Sequence, residues 1–177
     1  MKLSRNTYCL FILLLITGLS CKKDNRTELF VMGHFIDFDI PPGLNVFDTH
    51  IFSVDPIPTT YADQLASIGK TADDVVAIEA KDAYLSGVFG DVNLKFIHRI
   101  SVYIYDPFNP ADKIEFFYLD PTQFKNTTSW RLFPGITDIR PWIERDFFGI
   151  EVRLDFRETS PSFIPMRLEF DIRAMGE

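Results

Sequence analysis

From Leu29 onward, apolar and polar side chains trade places at every second residue. Phe30, Met32, His34, Ile36, Phe38 and Ile40 stand in one register, with Val31, Gly33, Phe35, Asp37 and Asp39 in the other. A period of two is that of an extended strand, whose successive side chains point to opposite faces. Pro41-Pro42-Gly43 ends the run, because two residues lack a backbone donor and the third permits a turn. Residues 49–54 read as a shorter strand closed by Asp55-Pro56, and residues 75–85 as a third. Ile100, Val102 and Ile104 alternate with Ser101, Tyr103 and Tyr105; the turn at Pro107-Phe108-Asn109-Pro110 then returns the chain through residues 114–119. The last two strands are the most regular. Ile150, Val152, Leu154 and Phe156 alternate with charged residues, as do Met166, Leu168, Phe170 and Ile172. One apolar and one charged face is what half-buried antiparallel strands require.

One stretch has helical spacing instead. Tyr61, Leu65 and Ile68 fall on one face, Thr60 and Asp63 are spaced for a capping box, and Gly69 suits a left-handed stop. Residues 121–148 read as loop-rich, with one helical turn at 138–143. The pattern predicts an all-β domain: an antiparallel β-sandwich of about seven strands with one short helix.

The first two dozen residues follow a different logic. Lys2 and Arg5 precede the apolar run 10–16, small residues follow, and after Cys21 the chain turns polar. This is the layout of a secretory signal, and its apolar part falls short of the roughly 20 residues a membrane-spanning helix needs. Gly18-Leu19-Ser20-Cys21 resembles the lipobox of bacterial lipoproteins, with Gly18 where that family prefers Leu. Followed by Lys22-Lys23-Asp24, it is similar to the signals of Bacteroidetes-type outer-membrane lipoproteins. The resemblance implies that residues 1–20 are removed and that Cys21 is acylated. Residues 21–28 would then form a flexible tether, and residues 29–177 the domain. It also implies an outer-membrane location, at the cell surface or on the periplasmic face. More than one acyl chain makes such an anchor stable, at about 0.8 kcal/mol per buried methylene.

Cleavage would remove two basic residues and no acidic one, moving the formal charge from −7 to −9. An acidic domain repels phosphate backbones, so nucleic acid is not an expected partner. Cys9 would leave with the signal, so no disulfide is expected and stability must come from packing.

Motifs for chemistry are few. Gly69-Lys70-Thr71 imitates the end of a phosphate-binding loop, but Gln64 occupies the position of the required glycine. His34, Asp37, Asp39, Asp48 and His50 lie close in sequence, yet parity puts His34 on the opposite strand face from Asp37 and Asp39. Asp37, Asp39, Asp48 and Asp55 lack the glycine-centred spacing of a calcium loop. No metal and no cofactor is expected.

The feature with functional reach is aromatic. If the turn after Asp106 joins its strands symmetrically, Tyr103, Tyr105 and Phe117 share the face opposite Ile100, Val102, Ile104 and Phe116. Open, three such rings would form a patch of several hundred Å², about the largest a monomer tolerates. Internal cover by the 60–69 helix, or by the 121–148 loop with Trp130 and Trp142, is therefore the preferred expectation, and a ligand or partner surface the alternative. The functional expectation is a non-catalytic binding or assembly module, held to the membrane through Cys21, with a glycan or an outer-membrane protein as partner. The alternatives are a purely structural envelope lipoprotein and a hydrolase whose site is assembled from scattered residues.

Overall fold

The computed structural model describes residues 25–90 and 92–177. The proposed signal peptide and Cys21 lie outside the described residues. Eight strands form the domain: β1 (Thr27–Ile40), β2 (His50–Pro58), β3 (Ala77–Gly87), β4 (Ile97–Asp106), β5 (Asn109–Leu119), β6 (Ser129–Pro134), β7 (Phe147–Phe156) and β8 (Ile164–Gly176). Two short helices accompany them, α1 (Tyr61–Ser67) and α2 (Arg140–Ile143). All neighbouring strands are antiparallel, in the order β1-β8-β3-β6-β5-β4-β7-β2.

This all-β sheet is nearly closed. β1, β8, β3 and β6 make one half; β5, β4, β7 and β2 make the other. The halves are joined through β5 and β6 by two residue pairs, Phe117 with Pro134 and Tyr118 with Phe133. On the far side β1 and β2 meet through side chains, with the Phe38 and Phe52 rings 4.9 Å apart. Between the halves, Phe116 and Phe117 of β5 pack against Phe170 of β8 at 5.7 and 6.4 Å. The interior is thus that of a sandwich, although the strands run as one sheet. Each fully buried aromatic or aliphatic side chain here contributes roughly 1.5–3 kcal/mol of transfer free energy, which is how the domain holds without a disulfide.

The alternation in β1, β7 and β8 is realised. Met32, Ile36, Phe38 and Ile40 are buried, as are Leu154, Phe156, Leu168, Phe170 and Ile172. Several expectations need correction. The tether ends earlier than residue 28, because Thr27 and Glu28 already pair with Gly176 and Met175. β2 continues past Asp55-Pro56 by means of an irregularity between Val54 and Ile57, which lets the prolines sit on an edge strand. Thr60 makes no side-chain cap and the box with Asp63 does not form; the Thr59 hydroxyl accepts the Tyr61 N–H instead. Gly69 does adopt the left-handed conformation, φ +66°. Finally, the segment read as loop contains β6, with Trp130 and Leu132 inward and Arg131 and Phe133 outward.

Beyond the short β6, the gap between β3 and β5 is filled by the segment leading into α2. The Ile139 N–H donates to the Ile78 carbonyl at 2.8 Å, Asp138 accepts from the Ile78 N–H at 2.9 Å, and Ile139 and Ile143 are buried. The Trp142 indole N–H donates to the Asp112 carbonyl on β5 at 3.1 Å. Exposed strand edges are thereby satisfied at this end. The antiparallel order places the chain's entry into β1 at the same end as α1, α2 and the β4–β5 turn. The loops 41–49, 120–128 and 157–163, with residues 92–96, lie at the opposite end.

Candidate functional site

The three residues singled out in the central hairpin do not form one surface. Near its turn the β4–β5 register slips by two residues relative to a symmetric hairpin, so Tyr105 faces Lys113 and Tyr103 faces Glu115. A bulge then leaves Phe116 as an extra residue, and Phe117 pairs with Val102. That one-residue step swings Phe117 to the inner face, where its exposure is 0%. Phe117 is core.

Tyr105 remains on the outer face yet is 3% exposed. Its ring lies across Gly149 of β7, where no side chain competes for the space, and its hydroxyl donates to Asp55 of β2 at 2.6 Å. Burial, and then the bond to Asp55, pushes its phenol far above the usual range. The cover is internal, but it comes from β2 and not from the helix or the 121–148 loop. Tyr103 is half-buried beneath the Arg153 guanidinium, 4.4 Å from the ring centre. Beside it, Glu151 accepts from Lys113 at 2.9 and 3.1 Å and from Arg153 at 2.7 Å. Burial pushes the Glu151 carboxyl up, but those hydrogen bonds and charges outweigh it and hold the group below its ordinary value. On this face of β4 and β7 Glu151 thus ties Lys113 and Arg153 together.

The acidic and histidine residues considered for a metal are dispersed. His34 points inward between Phe148 and Phe170, at 5.3 and 5.4 Å, and burial lowers its pKa against the opposing influence of Asp171. Asp37 is held by Arg167 through two bonds of 2.7 and 2.8 Å. His50 stacks on Phe156 and its Nε2 lies 2.8 Å from the Asn45 carbonyl, while Asp48 accepts from the Asn45 amide. Among the described residues no three of His, Cys, Asp and Glu are grouped so as to hold a metal ion, and no helix is long and apolar enough to cross a membrane.

A surface that the sequence reading did not find lies where β5 leaves β6. Tyr84 of β3, Phe133 of β6 and Tyr118 of β5 all point outward on neighbouring strands, 42%, 57% and 41% exposed. Tyr118 and Phe133 are a cross-strand pair with ring centres 6.0 Å apart. Next to them opens a groove of ≈ 530 Å³, lined among others by Tyr84, Gln123, Lys125, Trp130, Arg131 and Phe133. That volume is within the roughly 300–1,000 Å³ of small-molecule sites.

The wall of the groove is firmly built. Its loop, residues 120–128, is tied at both ends to the rest of the domain. The Thr122 N–H donates to the His98 carbonyl at 2.8 Å, and the Thr122 hydroxyl donates to the Ile97 carbonyl. The Arg157 guanidinium donates to the carbonyls of Thr122 and Ile97. The Leu94 N–H donates to the Thr127 carbonyl at 2.8 Å, and the Asn93 amide donates to Asn126 at 2.8 Å. At the floor, Trp130 is buried, its indole N–H directed to the Leu94 carbonyl at 3.3 Å and its ring under the Lys125 ammonium at 5.4 Å. Rings and polar groups fixed in advance lose little freedom on binding, which favours affinity. A scan of the chain against family models and curated proteins gives no match.

Proposed function

We propose that the protein is a lipid-anchored, non-catalytic binding module of the outer membrane whose ligand surface is the aromatic groove at the β5–β6 seam, and that the ligand is a saccharide. The observation that carries this reading is the row of half-exposed rings, Tyr84, Phe133 and Tyr118, on three adjacent strands above a pre-formed groove. Rings of this kind offer flat apolar area that packs on the C–H faces of sugars. The amide of Gln123 and the hydroxyl of Ser129 at the groove can meet sugar hydroxyls. No histidine lines the groove, and the three histidines stand apart from one another on β1, β2 and β4, which supports binding over hydrolysis. The groove also sits toward the end opposite the tether. β1 alone, 14 residues at about 3.3 Å each, separates the two ends by on the order of 40 Å, so a module anchored at Cys21 would present the groove away from the membrane.

Phe133→Ala tests the ligand surface. Being largely exposed, it should change stability by under about 1 kcal/mol, yet lower saccharide affinity tenfold or more on a glycan array followed by calorimetry. Unchanged binding would remove the groove from the account. For the anchor, Cys21→Ala expressed with a radiolabelled fatty acid should yield protein without label; label on that variant would place the lipid elsewhere.

A further inference from the structure

The groove is basic in an acidic protein. The chain carries a formal charge of −7, yet Lys95, Lys125, Arg131 and Arg157 gather around the 120–128 loop and the neighbouring β6. Their commitments differ. Arg131 is paired with Asp82, and Lys95 lies 3.9 Å from Glu158. Arg157 spends its donors on backbone carbonyls, which satisfies its hydrogen bonds without neutralising its charge. Lys125 lines the groove itself, and among the described residues its ammonium has no carboxylate partner; its neighbour is the face of Trp130. A lysine beside an aromatic floor, with no anion to answer it, is placed to meet an anion that arrives with the ligand. Arg157, 5.9 Å from the centre of the Phe124 ring in the same loop, adds to the positive field there.

We propose that the groove selects an anionic saccharide, one bearing carboxylate or sulfate, with Lys125 as the residue that meets the acidic group. This rests on the saccharide reading above. Tyr84, Tyr118 and Phe133 supply stacking that any sugar can use, and Lys125 supplies the discrimination between charged and neutral sugars. A lysine ammonium is a mobile point charge with three donors, suited to carboxylate or sulfate oxygens in more than one pose. An acidic peptide shares the charge but gains little from a row of rings on a sheet face.

Calorimetry on the full chain, with three probes at low and at moderate salt, tests the proposal. The probes are a uronic-acid tetrasaccharide, a neutral tetrasaccharide of the same linkage, and a polyglutamate peptide. The uronate should bind at least tenfold more tightly than the neutral sugar, and its advantage should shrink with salt. Lys125→Gln should abolish that preference, and Lys125→Arg should retain it. Equal affinity for the two sugars would overturn the proposal while leaving the saccharide reading standing. Binding of neither sugar would remove both, and polyglutamate binding as tightly as the uronate would replace the sugar with an anionic peptide.

Discussion

Phe117→Ala is expected to destabilise the domain by about 3–5 kcal/mol, the cost of emptying a large aromatic site in a core that cannot collapse onto it. The ring is completely buried and meets Phe116 at 4.7 Å and Phe170 at 6.4 Å. Removing it takes contacts from both halves of the sheet at once, because β5 and β8 belong to opposite halves. Tyr103→Ala is the control on the outer face of the same hairpin. It loses the Arg153 contact over its ring, a partly exposed cation–π pairing of about 0.5–1 kcal/mol, together with modest packing. Urea titrations should therefore separate the two variants by several kcal/mol. Similar midpoints would mean that the bulge at Phe116 is misplaced and that Phe117 faces outward, as a symmetric hairpin would have it.

Gly149→Ala should cost about 2–3 kcal/mol, although it adds a single methyl group. A β-carbon at Gly149 would overlap the Tyr105 ring, whose far end is fixed by the hydrogen bond from its hydroxyl to Asp55. The ring cannot swing aside without breaking that bond and uncovering the strand beneath. The glycine is thus kept by a close approach across the sheet and needs no unusual backbone angle. A double variant distinguishes this from a backbone effect. With Tyr105→Ala also present, the methyl group has room, so the two costs should fall well short of adding; strict additivity would show that ring and glycine are uncoupled.

The strands that the pattern of residues disclosed are those with one buried and one solvated face. β1, β7 and β8 announce themselves through Met32/Ile36/Phe38, Ile150/Val152/Leu154 and Leu168/Phe170/Ile172, because a period of two is imposed by burial itself. β6 does not. Its outward Phe133 breaks the contrast with inward Trp130 and Leu132, and at six residues it is too short for the period to emerge. The bulge was equally hidden. Phe116 and Phe117 are alike in chemistry, and which is the extra residue depends on how β5 registers along β4, a pairing settled over the whole hairpin.

The candidate groove was illegible for a related reason. Tyr118 and Phe133 come from the consecutive strands β5 and β6, but Tyr84 of β3 joins them only because β6 lies between β3 and β5. No local spacing encodes that order; it follows from the long-range pairing of β3 with β6 and β8. Tyr103 and Tyr105 were noticed because they are adjacent on one strand, and they proved to be committed to partners of their own, Arg153 and Asp55. Tyr105 is covered from within the protein, but by β2 and not by the expected helix or loop, while the residues left open lie on β5, β6 and β3.

The two tryptophans offer the most direct test that the β5–β6 groove is where a saccharide binds. Trp130 lines the groove and Trp142 lies on α2, each with its indole N–H held by a backbone carbonyl, Leu94 and Asp112 respectively. In a ¹H–¹⁵N correlation spectrum of the domain they give two resolved indole signals, assigned through the Trp142→Phe variant. On titration with a uronic-acid oligosaccharide the Trp130 signal should shift progressively to saturation while that of Trp142 stays in place. A shift of Trp142 alone, or no movement of either signal at saturating sugar, would contradict the account.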